Sequence, residues 1–344
     1  MEINLYSDTQ TLPSEAMYKA MISAPVGDEQ HGRDPSVNLL CERLADMLKA
    51  EDALFLPSGT MCNVISFLVH CDKGDEVIAH ETSHIITSEG GGIAAFSGAM
   101  VRAVEGNRGH FTETTLNAAI RSPSRYKPRS KLVVLEQTTN YAGGTIWPLE
   151  QMQLVSNSAR KAGLIVHMDG ARLFNASVQL GINANLFTAN CDTFWIDLTK
   201  GLGCPVGAVL LGSNGFIEEA RIWKQRLGGA MRQAGVLAGA GLFALDNNID
   251  RLIEDHKNAQ LLRELISSHP NLDTKSYYCD TNIVFFKLVT QVMTAAEFCE
   301  RTKVLGLRLQ PSSNLEIRAV THLNVTSKDI KKAAEIIITV AKSL

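Results

Sequence analysis

Seven short apolar runs, Ala53–Leu56, Glu76–Ala79, Met100–Val104, Lys131–Leu135, Leu164–Met168, Thr193–Leu198 and Ala208–Leu211, are separated by amphipathic stretches. Runs this short and this continuously apolar suit strands covered on both faces, and strands separated by helical crossovers lie parallel. The pattern predicts an α/β fold with a large domain built on a mainly parallel seven-stranded sheet. Asp34-Pro35 opens a helix running to about Ala50, with Val37, Leu40, Leu44 and Met47/Leu48 on its apolar face. A second helix fills Leu149–Lys161, between Trp147-Pro148 and Gly163. After an Ala/Gly/Leu-rich stretch ending near Leu245 come a charged helix over Asn248–Ser267, a strand over Thr281–Phe286 and a final helix over Lys328–Ser343. These predict a small α+β unit, so the chain divides into a large domain, residues 1–245, and a small one, residues 246–344.

With 344 residues, 45% of them hydrophobic, the chain can bury a large core. Its formal net charge of −3 comes from interspersed charges without a basic block, which argues against nucleic acid and against a membrane surface as partner. No apolar run is long enough to span a bilayer, and Met1–Ser7 lacks the basic start and apolar stretch of a secretory signal, so a cytoplasmic protein is expected. The seven cysteines are scattered and never form C-x-x-C, which disfavours a disulfide framework and a zinc ribbon; no metal site is expected.

Two of the runs end in residues with chemical potential. Leu164–Met168 leads into Asp169-Gly170-Ala171-Arg172, and Phe194–Thr199 leads into Lys200-Gly201-Leu202-Gly203. Singly, each is a charged residue where the chain leaves the core. Together they are what pyridoxal 5'-phosphate needs: a carboxylate keeps the pyridine nitrogen protonated, and a lysine amine holds the aldehyde as a Schiff base. Ser58-Gly59-Thr60, between the first run and an apolar helix, adds open backbone N–H groups suited to a phosphate, although these residues are also ordinary helix caps. The expected substrate is a small amino acid.

With those residues in place, the chain resembles the L-threonine aldolases of low specificity, of the β-eliminating lyase group. The resemblance runs from Ser7-Asp8-Thr9, through Gly32-Arg33-Asp34-Pro35, Asp169–Asn175, Lys200–Gly207 and Gly228–Gly235, to Arg318–Leu323. It implies the aspartate-aminotransferase fold (PLP fold type I) and retro-aldol cleavage of β-hydroxy-α-amino acids to glycine and an aldehyde. It also implies that Lys200 carries the cofactor, Asp169 pairs with its ring nitrogen, His84 lies over the ring, and Gly59, Thr60 and Arg232 hold the phosphate. Arg232 acts across a subunit boundary in the family, so a homo-oligomer is implied, a dimer or a dimer of dimers with active sites at the interface. Ser7, Arg172 and Arg318 are implied as substrate contacts, with a contact from Arg172 to the cofactor ring oxygen as an alternative.

Some positions depart from the family pattern. Glu136-Gln137-Thr138-Thr139-Asn140 places Thr139 where a second histidine usually contacts the substrate β-hydroxyl, and a hydroxyl is no base near neutral pH. His31, where a tyrosine is common, is a candidate to restore an imidazole near the substrate. These departures keep β-elimination, racemisation and transamination open as alternatives, and a non-catalytic homologue is the remaining one.

Overall fold

The computed structural model describes residues 2–343. Seven strands form the central sheet: β1 (Asp52–Leu56), β2 (Glu76–His80), β3 (Met100–Val104), β4 (Ser130–Glu136), β5 (Ile165–Gly170), β6 (Thr193–Asp197) and β7 (Ala208–Gly212), in the spatial order β1-β7-β6-β5-β4-β2-β3. Every neighbouring pair from β6 through β3 is parallel, whereas β7 runs antiparallel to both β1 and β6. The reversal has a simple cause. Only residues 198–207 separate β6 from β7, and a parallel return needs a crossover of about a dozen residues or more.

The inner strands are buried on both faces, as their unbroken apolar runs require. Ile78, Val133, Leu135, Val166, Met168 and Ile196 point into one hydrophobic layer. Alternate residues such as Val77, Leu132 and Val134, or Leu210 and Trp195, point into layers on the other side. The Pro35–Leu48 helix begins as expected: the Asp34 carboxylate accepts from the Val37 N–H, and Val37, Leu40, Leu44 and Leu48 are buried. It stops at Lys49, which is left-handed. The Ala/Gly/Leu-rich stretch is itself a helix, Gly235–Asn247, packed against the Glu15–Ser23 and Pro35–Leu48 helices. A side chain at Gly239 would bring its Cβ within 2.8 Å of the Ala24 Cβ, so the small residues set how closely these helices approach.

The small unit is a four-stranded antiparallel sheet, Gln310–Pro311, Glu316–Val320, Ile283–Leu288 and Leu272–Asp273, backed by the Leu252–Ile266, Ala295–Val304 and Ser327–Ala341 helices. The division differs from the expected one at the N-terminal end. Ile3–Asn4 pairs in parallel with Leu307–Arg308, and Ile3 and Leu5 join the small unit's core, so this segment does not pack with the large domain. Two residues give no periodicity to read, and only the tertiary pairing reveals the strand.

Candidate active site

Three adjacent parallel strands carry carboxylates at their C-terminal ends: Glu136 on β4, Asp169 on β5 and Asp197 on β6. Glu136 and Asp169 are register partners. All three line a cavity of about 330 Å³, together with the start of the Gly59–His70 helix and Lys200. Strand C-termini and helix N-termini meet at the same edge of such a sheet, where ligands of α/β proteins bind.

Asn63 organises the Asp169 side. Its amide Nδ2 donates to Asp169 Oδ2 at 3.1 Å and to Glu89 Oε1 at 2.7 Å, while its Oδ1 accepts from Trp195 Nε1 at 2.8 Å. An indole nitrogen only donates, so the amide orientation is fixed. His167 Nε2 must then donate to Asn63 Oδ1, 3.2 Å away, and its Nδ1 accepts from Thr193. Burial holds His167 neutral, pushing it down to about 3. The Ala171 N–H gives Asp169 Oδ1 a further bond, leaving a buried, oriented carboxylate at the cavity wall.

Lys200 begins the short turn between β6 and β7, with a left-handed φ of 51°. Its amine lies 2.8 Å from Asp197 Oδ2 and 5.6 Å from the centre of the Trp195 ring. The same ring explains Gly59, because a Cβ there would come within 2.1 Å of it. Ser58 caps the Gly59–His70 helix through the Met61 N–H, leaving the N–H groups of Gly59 and Thr60 directed at the cavity end where an anion is stabilised.

His84 lies on the cavity wall. Its backbone N–H donates to Glu136 Oε2 at 2.7 Å, and its Nδ1 faces Glu89 Oε1 at 2.8 Å. A carboxylate only accepts, so Nδ1 carries the proton and Nε2 is left for the cavity. Burial works against the imidazolium, but the Glu89 bond and the charges of Asp169, Glu89 and Glu136 outweigh it, so His84 titrates above its ordinary value. The stabilisation from this raised value is complete below the unfolded pKa of about 6.5 and disappears as pH rises through the folded one. Glu89→Gln is expected to lower the His84 midpoint measured by NMR; an unmoved midpoint would assign the shift to Asp169 and Glu136 instead. His84, Glu89 and Asp169 are also spaced closely enough to suggest a cation site, but N–H donors from Asn63 and His84 already join them. Glu136 is the other perturbed group: burial and the neighbouring Asp169 push it up to about 7, although two backbone N–H groups oppose the shift.

Arg172 also lines the cavity, and Asp8 grips it through two bonds, Nε to Oδ2 at 2.8 Å and Nη2 to Oδ1 at 2.7 Å. Asn282 of the small unit donates to the same Asp8 at 3.0 Å. Arg318 lies near them on its strand of the small sheet, bonded to Gln310, with its buried Nε unpartnered. Burial, followed by repulsion from Arg172, pushes Arg318 down to about 10. Two buried guanidiniums thus lie near one carboxylate, which of the two only Arg172 bonds, an excess of positive charge that an incoming carboxylate would neutralise. Ser7 is buried beside Asp8, and its Oγ accepts from the Thr9 N–H and hydroxyl, so neither bond uses its own proton.

Gly59, Thr60, His84, Asp169, Arg172 and Lys200 therefore border one cavity. Five expected positions do not: Ser7 and Arg318, buried near Asp8, and Thr139, His31 and Arg232. Thr139 turns inward, its hydroxyl 2.5 Å from Thr145 Oγ1, while Thr138 and Asn140 on either side face the cavity. His31 and Arg232 lie outside, with side chains 66% and 61% exposed, both beside Asp28. For His31 and Thr139 this corrects the expected approach to the substrate within one chain. Reading the sequence missed Glu89, Asn63 and Asp197. Asp197 ends an apolar run just as Asp169 does, so the same rule would have found it; Asn63 and Glu89 become visible only once the sheet is assembled.

The seven-stranded sheet, the small C-terminal sheet and the lysine-bearing turn together define the aspartate-aminotransferase fold of type I. A solved threonine aldolase from Leishmania major superposes with a TM-score of 0.84 over 98% of this chain and 99% of that one, at 20% identity. Residues 4–288 match the model of the beta-eliminating lyase family, and the chain belongs to that family. Among its relatives, low-specificity L-threonine aldolase 1 of Arabidopsis thaliana is 39% identical over 95% of this chain and 93% of its own length. The low specificity L-threonine aldolase of Escherichia coli K12 is 37% identical over 96% and 97%.

Proposed function

We propose that this protein cleaves L-threonine, L-allo-threonine or related β-hydroxy-α-amino acids to glycine and an aldehyde, with pyridoxal 5'-phosphate as cofactor. The observation that carries the reading is that one cavity holds both Lys200 and an oriented Asp169, with a helix N-terminus for phosphate, beside two buried arginines of which only Arg172 is bonded to a carboxylate. Relatives named as low-specificity L-threonine aldolases, 37–39% identical over almost the whole chain, support it.

The donor set fits the cofactor: Asp169 for the pyridinium N–H, the Gly59 and Thr60 amides for the phosphate, and the Lys200 amine for the aldehyde. When bound, the cofactor supplies that aldehyde and a cationic ring to absorb the electrons left on Cα. The protein does the rest. Arg172, Arg318 and Ser7 bind the substrate carboxylate, which orients the Cα–Cβ bond for cleavage. His84 would lie against the ring, and its free Nε2 would accept the β-hydroxyl proton while Glu89 supports the imidazolium that forms. Thr139, held by Thr145, leaves this step to His84.

Assembly as a homodimer, or a dimer of dimers, belongs to this reading. Arg232 and His31 stand exposed at a shared edge, suited to enter a neighbouring copy's cavity, where Arg232 would hold phosphate. The protein partner is thus a second copy of the chain, with no nucleic acid or membrane partner. Among the described residues, no helix is long and apolar enough to cross a membrane, and a cytoplasmic address is part of the proposal. The test is aldehyde and glycine release from L-threonine, L-allo-threonine and L-phenylserine by purified protein with a borohydride-sensitive chromophore. Pyruvate and ammonia would indicate elimination, a new keto acid transamination, and inversion without cleavage racemisation. A folded oligomer that binds no cofactor would overturn the enzymatic reading.

A further inference from the structure

Beyond the groups that bind cofactor and substrate, one buried carboxylate lies against the reactive amine. Asp197 Oδ2 is 2.8 Å from Lys200 Nζ, with both side chains largely buried. Its other oxygen, Oδ1, is fixed by the Thr199 N–H at 2.8 Å and the Thr199 hydroxyl at 2.5 Å. Three consecutive features, the end of β6, the Thr199 clamp and the left-handed Lys200, therefore hold this carboxylate toward the amine and not toward solvent. Asp169 cannot serve the same purpose, because Asn63 and the Ala171 N–H already engage it. The other charged groups facing the pair are Asp8, bonded to Arg172, and Asp169, Glu136, Glu89 and His84 of the same cavity, each already engaged by a hydrogen bond, while the nearby Cys62 and Cys204 thiols are held protonated by burial.

We infer that Asp197 is a positioning residue that receives the Lys200 amine whenever the substrate displaces it and holds it, charged and close by, for the return step. The inference rests on Lys200 being the cofactor lysine. In the exchange the substrate ammonium forms its carbon–nitrogen bond to the cofactor as the bond to Lys200 breaks. The arriving ammonium gives up two protons and the departing lysine takes up two, so Lys200 leaves as an ammonium and the net charge of the site is conserved. A buried ammonium without a partner is costly, and Asp197 meets that cost before substrate arrives. While the lysine is bonded to the cofactor, the same carboxylate favours the protonated linkage, the form that an incoming amine attacks.

The test compares wild type with Asp197→Asn in two forms. In cofactor-free protein, Lys200 acetylation is followed by peptide mass spectrometry at mildly alkaline pH, with the exposed Lys19 as internal control. Freed from its carboxylate, Lys200 should react faster, on the order of tenfold, while Lys19 is unchanged. In cofactor-loaded protein, borohydride should still fix the cofactor on Lys200, and the pH midpoint of the visible absorbance should fall by about one unit. Thr199→Val, which keeps the carboxylate but removes its hydroxyl clamp, should move both readouts in the same direction by less, and it carries the test should Asp197→Asn fail to fold. Unchanged Lys200 labelling, or an unmoved midpoint, overturns the inference. Wild-type protein that takes up no cofactor would overturn the proposed function instead, because the labelling comparison is made without cofactor.

Discussion

Lys200→Ala is expected to abolish the borohydride-sensitive absorbance and to lower aldehyde release by on the order of 10⁴-fold, as when one member of a site that acts as a unit is removed. No other residue lining the cavity carries a primary amine. The fold should survive. The turn is held through backbone groups, with the Thr11 hydroxyl donating to the Lys200 carbonyl at 2.8 Å and the Gly203 N–H donating to the same carbonyl at 3.0 Å, and alanine meets the left-handed φ with the same Cβ that lysine already places there. Near wild-type absorbance in the folded variant would remove Lys200 from its assigned role and the retro-aldol reading with it.

Asp8→Ala should produce the largest stability loss of any single change at the site, about 3–5 kcal/mol by urea denaturation, because it strands a buried guanidinium. Both partners of the Asp8–Arg172 pair are almost fully buried, and the Asn282 amide loses its acceptor as well. Burial alone would raise the Asp8 pKa, but Arg172, with help from Lys200 and Arg318, holds the carboxyl well below the usual carboxylate range. The sign follows from the depressed value: the stabilisation is fully present above the unfolded pKa of about 3.9 and is lost as pH falls through the folded one. Acid denaturation of wild type should therefore steepen well below pH 4, and the variant should lack that component. A loss below about 1 kcal/mol would mean that solvent or a shifted Arg318 compensates Arg172.

The sheet was legible in the sequence because β2, β4, β5, β6 and β7 are buried on both faces and leave unbroken apolar runs. Asp169 and Lys200 stood out for the same reason, as polar residues ending such runs. The direction of β7 was not legible as apolarity, only as the shortness of the segment before it. The Asn63 network could not be read at all, since its partners lie on three separate segments and a lone asparagine inside an apolar helix gives no sign of what it faces. Arg232 and His31 show another limit: their roles were expected from resemblance, and a single folded chain places them outside its own cavity.

The first residues of the chain tie these parts together in a way that bears on motion. Ile3–Asn4 is stitched to the edge of the small unit, Asp8 is clamped to Arg172 of the large one, and Glu15–Ser23 is packed among the large domain's helices. This segment runs as a strap across the boundary between the two units. Any swing that carries Arg318 away from Arg172 must stretch or unseat it, so opening of the carboxylate pocket and loosening of the N-terminal strand become a single mechanical event.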